Sequence, residues 1–253
     1  MLQYAPDGLI GVLTPQANTT VEPEFDILCP VGTGTITARL TSDKPTIDER
    51  LVDYLGSIDR TLDQFANAPV SAVAFACTGA SYLIEPERGA ATNAAITVAH
   101  GYPFITAADA ICDALQALGS RQVGIVSPYT GALHEACLGY WPKRGVNIAK
   151  VIQIETADDA FHPIYALGSS ASLGGVNALG DDIDVVAILG TGLPTLPTLL
   201  RMVPNSIPVI SPNLCLMWRS VVAIADVTPS AENLEPWIKA RDWGGRLQAR
   251  VGP

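Results

Sequence analysis

Three strand-and-turn units occur twice in this chain, and the duplication restricts the fold more than any other feature. Val73-Ala74-Phe75-Ala76-Cys77-Thr78-Gly79-Ala80 is an apolar run that stops at a cysteine, a threonine and a glycine. Val186-Ala187-Ile188-Leu189-Gly190-Thr191-Gly192-Leu193 answers it, with Cys77 and Gly190 standing 113 residues apart. Gly11-Val12-Leu13-Thr14-Pro15 matches Gly124-Ile125-Val126-Ser127-Pro128 at the same offset. Tyr102-Pro103-Phe104-Ile105-Thr106 matches Ile207-Pro208-Val209-Ile210-Ser211 at an offset of 105. Repetition in one order predicts an internally duplicated protein whose two turns face each other across a pseudo-twofold axis. One half supplies a thiol at that turn, and the other supplies none.

Between the repeats, strand and helix patterns alternate. Strands are expected over 8–14, 122–127, 148–154, 184–189 and 207–210, with another ending at Cys77. Residues 25–40 read as a strand region broken by Gly32-Thr33-Gly34, after a short acidic helix start at Glu22 and Glu24 capped by Thr19 or Thr20. Apolar residues spaced by three or four predict a helix over 45–66. Further helices are expected over 86–100, 107–118, 130–144, 195–203 and 213–225, with a helix and loops over 156–179. The segment 230–253, with Trp237 and Trp243, gives no clear pattern. Short apolar strands without polar alternation, joined by helices, indicate an α/β fold with parallel sheets covered on both faces. The domain division that follows is 1–117 plus 213–253 for the half carrying Cys77, and 118–212 for the half carrying Gly190.

Composition excludes several classes. A chain of 253 residues that is 48% hydrophobic and 16% charged can bury a large core. Its net charge of −10 makes nucleic acid or an anionic membrane surface an unsuitable partner. No run approaches the roughly 18 apolar residues a membrane span needs, and the N-terminus lacks the basic region of a secretory signal. Cys29, Cys77, Cys112, Cys137 and Cys215 are odd in number and form no CxxC pair. They fit a reducing cytoplasm better than a disulfide framework, and no metal site is expected. Gly32-Thr33-Gly34 lacks the third glycine and the acidic residue of a dinucleotide fingerprint.

Ligands of open α/β sheets sit outside the carboxyl ends of the strands, where Pro15, Cys77, Pro128 and Gly190 all fall. Most lone cysteines are buried structural residues, and Cys112, Cys137 and Cys215 suit that reading. Cys77 differs because Thr78-Gly79-Ala80-Ser81 follows it with hydroxyls and unhindered N–H groups. Such groups would lower a thiol's pKa and hold a carboxylate. Gly190-Thr191-Gly192 offers hydroxyl and N–H groups without an acid or base. Tyr129 follows Pro128, and Asn18 follows Pro15 as either a cap or a ligand. His100, His134 and His162 have no Ser or Asp constellation and are read as non-catalytic. Asp158-Asp159 and Asp181-Asp182 read as loop charges.

Several segments together resemble a known family. Pro15-Gln16-Ala17-Asn18-Thr19-Thr20-Val21-Glu22-Pro23-Glu24 is similar to the P-S-S-N-x-T-x-E-T-E opening of maleate cis-trans isomerases. Ser127-Pro128-Tyr129 resembles their carboxylate-binding pair, and Leu193-Pro194-Thr195-Leu196-Pro197 the M-P-S-L-P after their second cysteine. Arg88-Gly89-Ala90-Ala91-Thr92-Asn93-Ala94-Ala95-Ile96-Thr97-Val98-Ala99 is closer to the R-G-A-A-x-N-A-A-x-T-V-A of arylmalonate decarboxylases. The chain thus resembles the aspartate/glutamate racemase superfamily, in the branch holding both enzymes. The resemblance implies two similar Rossmann-like subdomains around a cleft, cofactor-free chemistry and a small mono- or dicarboxylate substrate. Self-association is left open. Cys77 matches the isomerases' nucleophile. Gly190 stands where the racemases and isomerases carry a second cysteine, and Asp159 lies near a substrate-binding asparagine. The decarboxylases also pair one cysteine with one glycine, but with the thiol in the second half.

One thiol suits a proton relay between two faces poorly. It suits a decarboxylation in which a single acid protonates an enediolate. The expected reaction is therefore cofactor-independent decarboxylation of a substituted malonate-type dicarboxylate. Cys77 is the expected proton donor, delivering to the face opposite that of the known decarboxylases. Pro15, Asn18, Thr78, Gly79, Tyr129, Gly190, Thr191 and Gly192 are the expected substrate-binding residues. The alternatives are a maleate-type isomerase with Cys77 as nucleophile, or a carboxylate binder without catalysis.

Overall fold

The computed structural model describes residues 2–156 and 163–251. In chain order the first half runs β1 (Gly8–Pro15), α1 (Val21–Leu28), β2 (Thr33–Leu40), α2 (Ile47–Gly56), α3 (Ile58–Leu62), β3 (Ala72–Phe75), α4 (Thr78–Tyr82), α5 (Pro86–His100), β4 (Phe104–Thr106) and α6 (Ala107–Ala117). The second runs β5 (Val123–Ser127), α7 (Gly131–Lys143), β6 (Ile148–Gln153), α8 (Ser169–Leu179), β7 (Val185–Ile188), α9 (Leu196–Met202) and β8 (Val209–Ile210). Helices α10 (Pro212–Ile224), α11 (Ala231–Ile238) and α12 (Gly244–Val251) close the chain.

The strands form two parallel four-stranded sheets of the same order, β2-β1-β3-β4 and β6-β5-β7-β8. Even the register repeats. Leu13 lies beside Phe75 in one sheet and Val126 beside Ile188 in the other, each pair related by 113 residues. The two halves are thus equivalent α/β units, and the central strands β1, β3, β5 and β7 supply fully buried residues such as Ile10, Val73, Val126 and Ile188. Parallel strands covered by helices on both faces have no solvated side, so their sequences read as continuous apolar runs.

Helix α10 crosses back to pack on α6, α1 and the first sheet, burying Trp218, Leu214 and Met217. The last two helices fill the stretch whose sequence shows no clear pattern. Ser230 and Asn233 form a capping box for α11, and Trp243 donates its indole N–H to the Trp237 carbonyl. Arg246 then donates to the Ile27 and Leu28 carbonyls, satisfying the C-terminal end of α1.

Two expectations are corrected. Residues 21–28 are helical and strand pairing starts only at Thr33. Val21, Glu24, Phe25 and Leu28 make one buried face at helical spacing, and the turn at Gly32, with φ of +90°, separates helix from strand. The 45–66 helix is divided at Gly56 and Ser57, whose hydroxyl donates to the Tyr54 carbonyl and diverts the chain into α3. Among the described residues, no helix is long and apolar enough to cross a membrane.

Candidate active site

The carboxyl ends of the two sheets meet at a cleft lined by residues from both halves. Pro15, Asn18, Tyr54, Cys77 and Gly79 come from the first, and Tyr129, Leu133, Ile164, Tyr165, Thr191 and Gly192 from the second. Cys77 is the extended residue between β3 and the short helix α4. The backbone N–H groups of Gly79 and Ala80 are near enough to favour a thiolate there, though Cys77 makes no side-chain cap to the helix. The side chain is only 3% exposed, which departs from an open, acidified thiol. Burial outweighs the two N–H donors and pushes its pKa up to about 12, leaving a neutral S–H.

Tyr129 is buried as well, and its hydroxyl lies 2.6 Å from Thr78 Oγ1. Its backbone is held on both sides, with its N–H donated to Ser127 Oγ and its carbonyl accepting from Gln153 Nε2. Thr78 and Tyr129 together place a polar edge across the two halves. Ser81, four residues after Cys77, turns its side chain to a different cavity and takes no part here.

On the opposite wall Gly190 has a φ of +89°, the left-handed region that favours glycine. A Cβ at this position would meet Ile164 Cδ1 at 2.5 Å and Pro128 Cγ at 2.8 Å. The space that a second thiol would need is therefore filled by Ile164. Gly192 is just as close to its neighbour, since a Cβ there would lie 2.6 Å from the Tyr165 ring. The backbone N–H groups of Thr191 and Gly192 donate to no acceptor among the described residues. The Thr191 hydroxyl is not free to join them, because it donates to the Ala76 carbonyl at 3.0 Å and accepts from Asn18 Nδ2 at 3.4 Å.

The P-x-x-N-x-T-x-E-x-E segment holds this turn in place. Thr20 is the N-cap residue of α1 but makes no side-chain cap, and Asn18 Oδ1 accepts from the N–H groups of Thr20 and Val21. Thr20 Oγ1 instead donates to the Gly192 carbonyl at 2.8 Å. Glu22 pairs with Arg39, which also donates to the Pro15 and Asn18 carbonyls. Glu24 is the residue that sequence reasoning missed. Its buried carboxylate accepts from the N–H groups of Thr195 (2.5 Å) and Leu196 (3.1 Å) at the start of α9, and from Asn213 Nδ2 (2.7 Å). Desolvation raises its pKa against these donors. Asn213 passes a second N–H to the Thr191 carbonyl. The only sequence sign of this role was an acidic residue on the buried face of an amphipathic helix.

With Tyr165 and Ile164 in place, about 20 Å³ remains inside the cleft, near the room one water needs. Ile47, Leu51, Leu133 and Ile164 give it apolar walls, and among the described residues no charged side chain lines it. Burial first, and a charge on nearby Cys77 second, push the Tyr54 and Tyr165 hydroxyls up. His134 bonds Ser127 Oγ and exposed His100 stacks on Tyr102, both away from the cleft. Asp158, Asp159 and His162 lie outside the described residues.

Two equivalent parallel α/β halves closing on a cleft with a thiol at one strand end are the architecture of the aspartate/glutamate racemase superfamily. Within it, the chain belongs to the arylmalonate decarboxylase family, whose model matches residues 10–234. A maleate isomerase of Geobacillus stearothermophilus is 25% identical over 162 residues, 59% of this chain and 64% of the relative, so less than two thirds of that relative is spanned. A maleate isomerase of Pseudomonas putida is 26% identical over 196 residues, 71% of this chain and 75% of the relative. Among solved structures, the maleate isomerase Iso of Pseudomonas putida S16 superposes with a TM-score of 0.75 at 22% identity, covering 87% of this chain and 93% of that one. A Nocardia farcinica maleate cis-trans isomerase mutant with a covalently bound succinylcysteine intermediate gives 0.75 at 21% identity, over 90% and 98%. An arylmalonate decarboxylase mutant with one glycine changed to cysteine and one cysteine to serine gives 0.72 at 21%, over 86% and 92%.

Proposed function

We propose that the protein decarboxylates a small, substituted malonate-type dicarboxylate, without a cofactor, using Cys77 as the proton donor. The observation that carries this reading is a neutral, buried thiol in a cleft that no charged side chain lines among the described residues. One substrate carboxylate takes the N–H groups of Thr191 and Gly192 and the Thr78–Tyr129 hydroxyl pair. The other lies against the apolar walls, where a charge is poorly solvated. Its C–C bond breaks, carbon dioxide leaves, and the bonding electrons pass into an enediolate on the held carboxylate. The Cys77 S–H then gives its proton to carbon from the first-half side, and the resulting thiolate recovers a proton from solvent on product release. Pro15 and Asn18 set the near wall, while Gly79 and Gly192 keep the turns slim enough for backbone approach. Because about 20 Å³ cannot hold a malonate, Tyr165 and Ile164 must withdraw for substrate to enter.

A second reading is isomerisation of maleate, with Cys77 adding to the double bond and leaving after rotation. It is favoured by the names of the relatives and requires a thiolate that the closed cleft disfavours. The test is incubation with phenylmalonate and, separately, maleate in deuterated water. The expected products are carbon dioxide and a phenylacetate carrying one new deuteron, with Cys77→Ala folded and at least about a hundredfold slower. Fumarate from maleate without decarboxylation of any malonate would replace the proposal with the second reading.

A further inference from the structure

Beside α4, residues of both halves line a cavity of about 320 Å³ that shares no lining residue with the candidate cleft. That volume is within the range of small-molecule sites. Its floor is aromatic, with the rings of Phe75 and Phe104 at 6.0 Å and tilted by 41°. Val52, Leu55 and Leu83 complete an apolar wall.

The remaining wall is polar and carries an excess of positive charge. Asp109 is already occupied, accepting from Asn93 Nδ2 at 2.8 Å, Thr106 Oγ1 at 2.7 Å and Arg144 Nη1 at 2.8 Å. Arg88 stands at the exposed rim, so two guanidinium groups face one carboxylate, in a chain whose net charge is −10. Ser81 supplies a hydroxyl on the same wall. It is 7% exposed, lines the cavity, and its hydroxyl has no hydrogen-bond partner among the described residues. Solvent reaches this hydroxyl, and a ligand oxygen could take the same place.

We propose that this cavity is a second ligand site, taking a small monocarboxylate with an aromatic or branched apolar body. The ring lies on Phe75 and Phe104, and the carboxylate accepts from Ser81 with Arg88 beside it. Ser81 belongs to the same short helix that Cys77 precedes as its N-cap residue. An occupant therefore braces that helix. The inference does not depend on which reaction the cleft performs.

The experiment is a backbone N–H NMR titration with phenylacetate, using benzyl alcohol as the neutral probe. Saturable shifts are expected at Ser81, Leu83, Gly89 and Asn93, with benzyl alcohol about tenfold weaker or worse. Ser81→Ala and Arg88→Gln should each weaken phenylacetate about fivefold or more, the scale of a hydrogen bond to a charged group. Gly89→Phe fills the cavity from α5, where an added Cβ meets only Ile84 Cγ2 at 3.7 Å. It should abolish these shifts and leave any at Thr191 and Gly192 intact. The proposal fails if the cavity signals do not shift saturably, or if Gly89→Phe leaves the shifts unchanged. It fails equally if they follow protein concentration rather than phenylacetate, which would assign this face to a second copy of the chain.

Discussion

Placing a second thiol opposite the first should be resisted by the structure, and by a calculable amount. Gly190→Cys puts a side chain on a residue with φ of +89°, at a cost of about 1–2 kcal/mol. Its Cβ would stand 2.5 Å from Ile164 Cδ1 and 2.8 Å from Pro128 Cγ, and overpacking of that kind costs about 1–3 kcal/mol more. The expected loss is about 3 kcal/mol, or roughly 6–12 °C in Tm for a chain of this size. Ile164→Val removes the atom in closest contact and by itself costs about 0.5–1.5 kcal/mol. Combined with Gly190→Cys it should recover at least about 1 kcal/mol relative to the sum of the two single changes, because the sites share one space. Urea unfolding of the four proteins measures the cycle, provided the m-values agree. Gly190→Cys as stable as wild type, or strict additivity with Ile164→Val, would refute the claim that Ile164 occupies the second thiol's position. On the proposed reading, the two-thiol protein with Ile164→Val gains weak α-proton exchange on a 2-arylpropionate.

Three further outcomes are expected. Burial raises the Cys77 pKa from the ordinary 9.0 to about 12, so iodoacetamide labelling, followed by mass spectrometry at that residue, should keep rising beyond pH 9; a plateau near pH 9 would contradict the closed site. By the same linkage, the neutral thiol contributes stability that is complete below pH 9 and is lost as pH climbs toward 12, which Cys77→Ala should flatten. Tyr129→Phe removes the 2.6 Å contact with Thr78 and should weaken substrate binding or turnover by about 1–3 kcal/mol; unchanged kinetics would make Tyr129 structural. Glu24→Ala strands the N–H groups of Thr195 and Leu196 and one from Asn213, and should cost about 3 kcal/mol or more in unfolding free energy; a change under about 0.5 kcal/mol would show that the tie is dispensable.

What could be read from the sequence was what is local or periodic. The 113-residue offset showed that the two sheets are equivalent, because equivalent strands need equivalent apolar runs, and the structure adds their common order and register. The offset also brought Cys77 and Gly190 to corresponding strand ends, since a strand's end is marked by its own residues. Helix α1 was misplaced for the opposite reason: the run Phe25-Asp26-Ile27-Leu28 satisfies a strand pattern until its burial against a partner is known. Burial of Cys77 was not legible either. Its neighbours Gly79 and Ala80 suggested an acidified thiol, but Ile164 and Tyr165, 87 and 88 residues downstream, close the cleft over it.

The polar opening segment shows why motifs and contacts are different kinds of information. Pro15, Asn18, Thr20, Glu22 and Glu24 stand in a pattern that invites a ligand-binding role for each. In the fold, Asn18 reaches Thr191, Thr20 reaches the Gly192 carbonyl, and Glu24 reaches Thr195, Leu196 and Asn213, across separations of 171 to 189 residues for the bonds made by Thr20 and Glu24. These side chains spend their hydrogen bonds on the second half's turn and on the helix that follows it. The consequence is chemical as well as structural. With the Thr191 hydroxyl and the Gly192 carbonyl tied down from the first half, the N–H groups of Thr191 and Gly192 still have no acceptor among the described residues. An anion held there is held by backbone whose orientation is fixed before it arrives, which is the condition under which such donors stabilise developing charge most effectively.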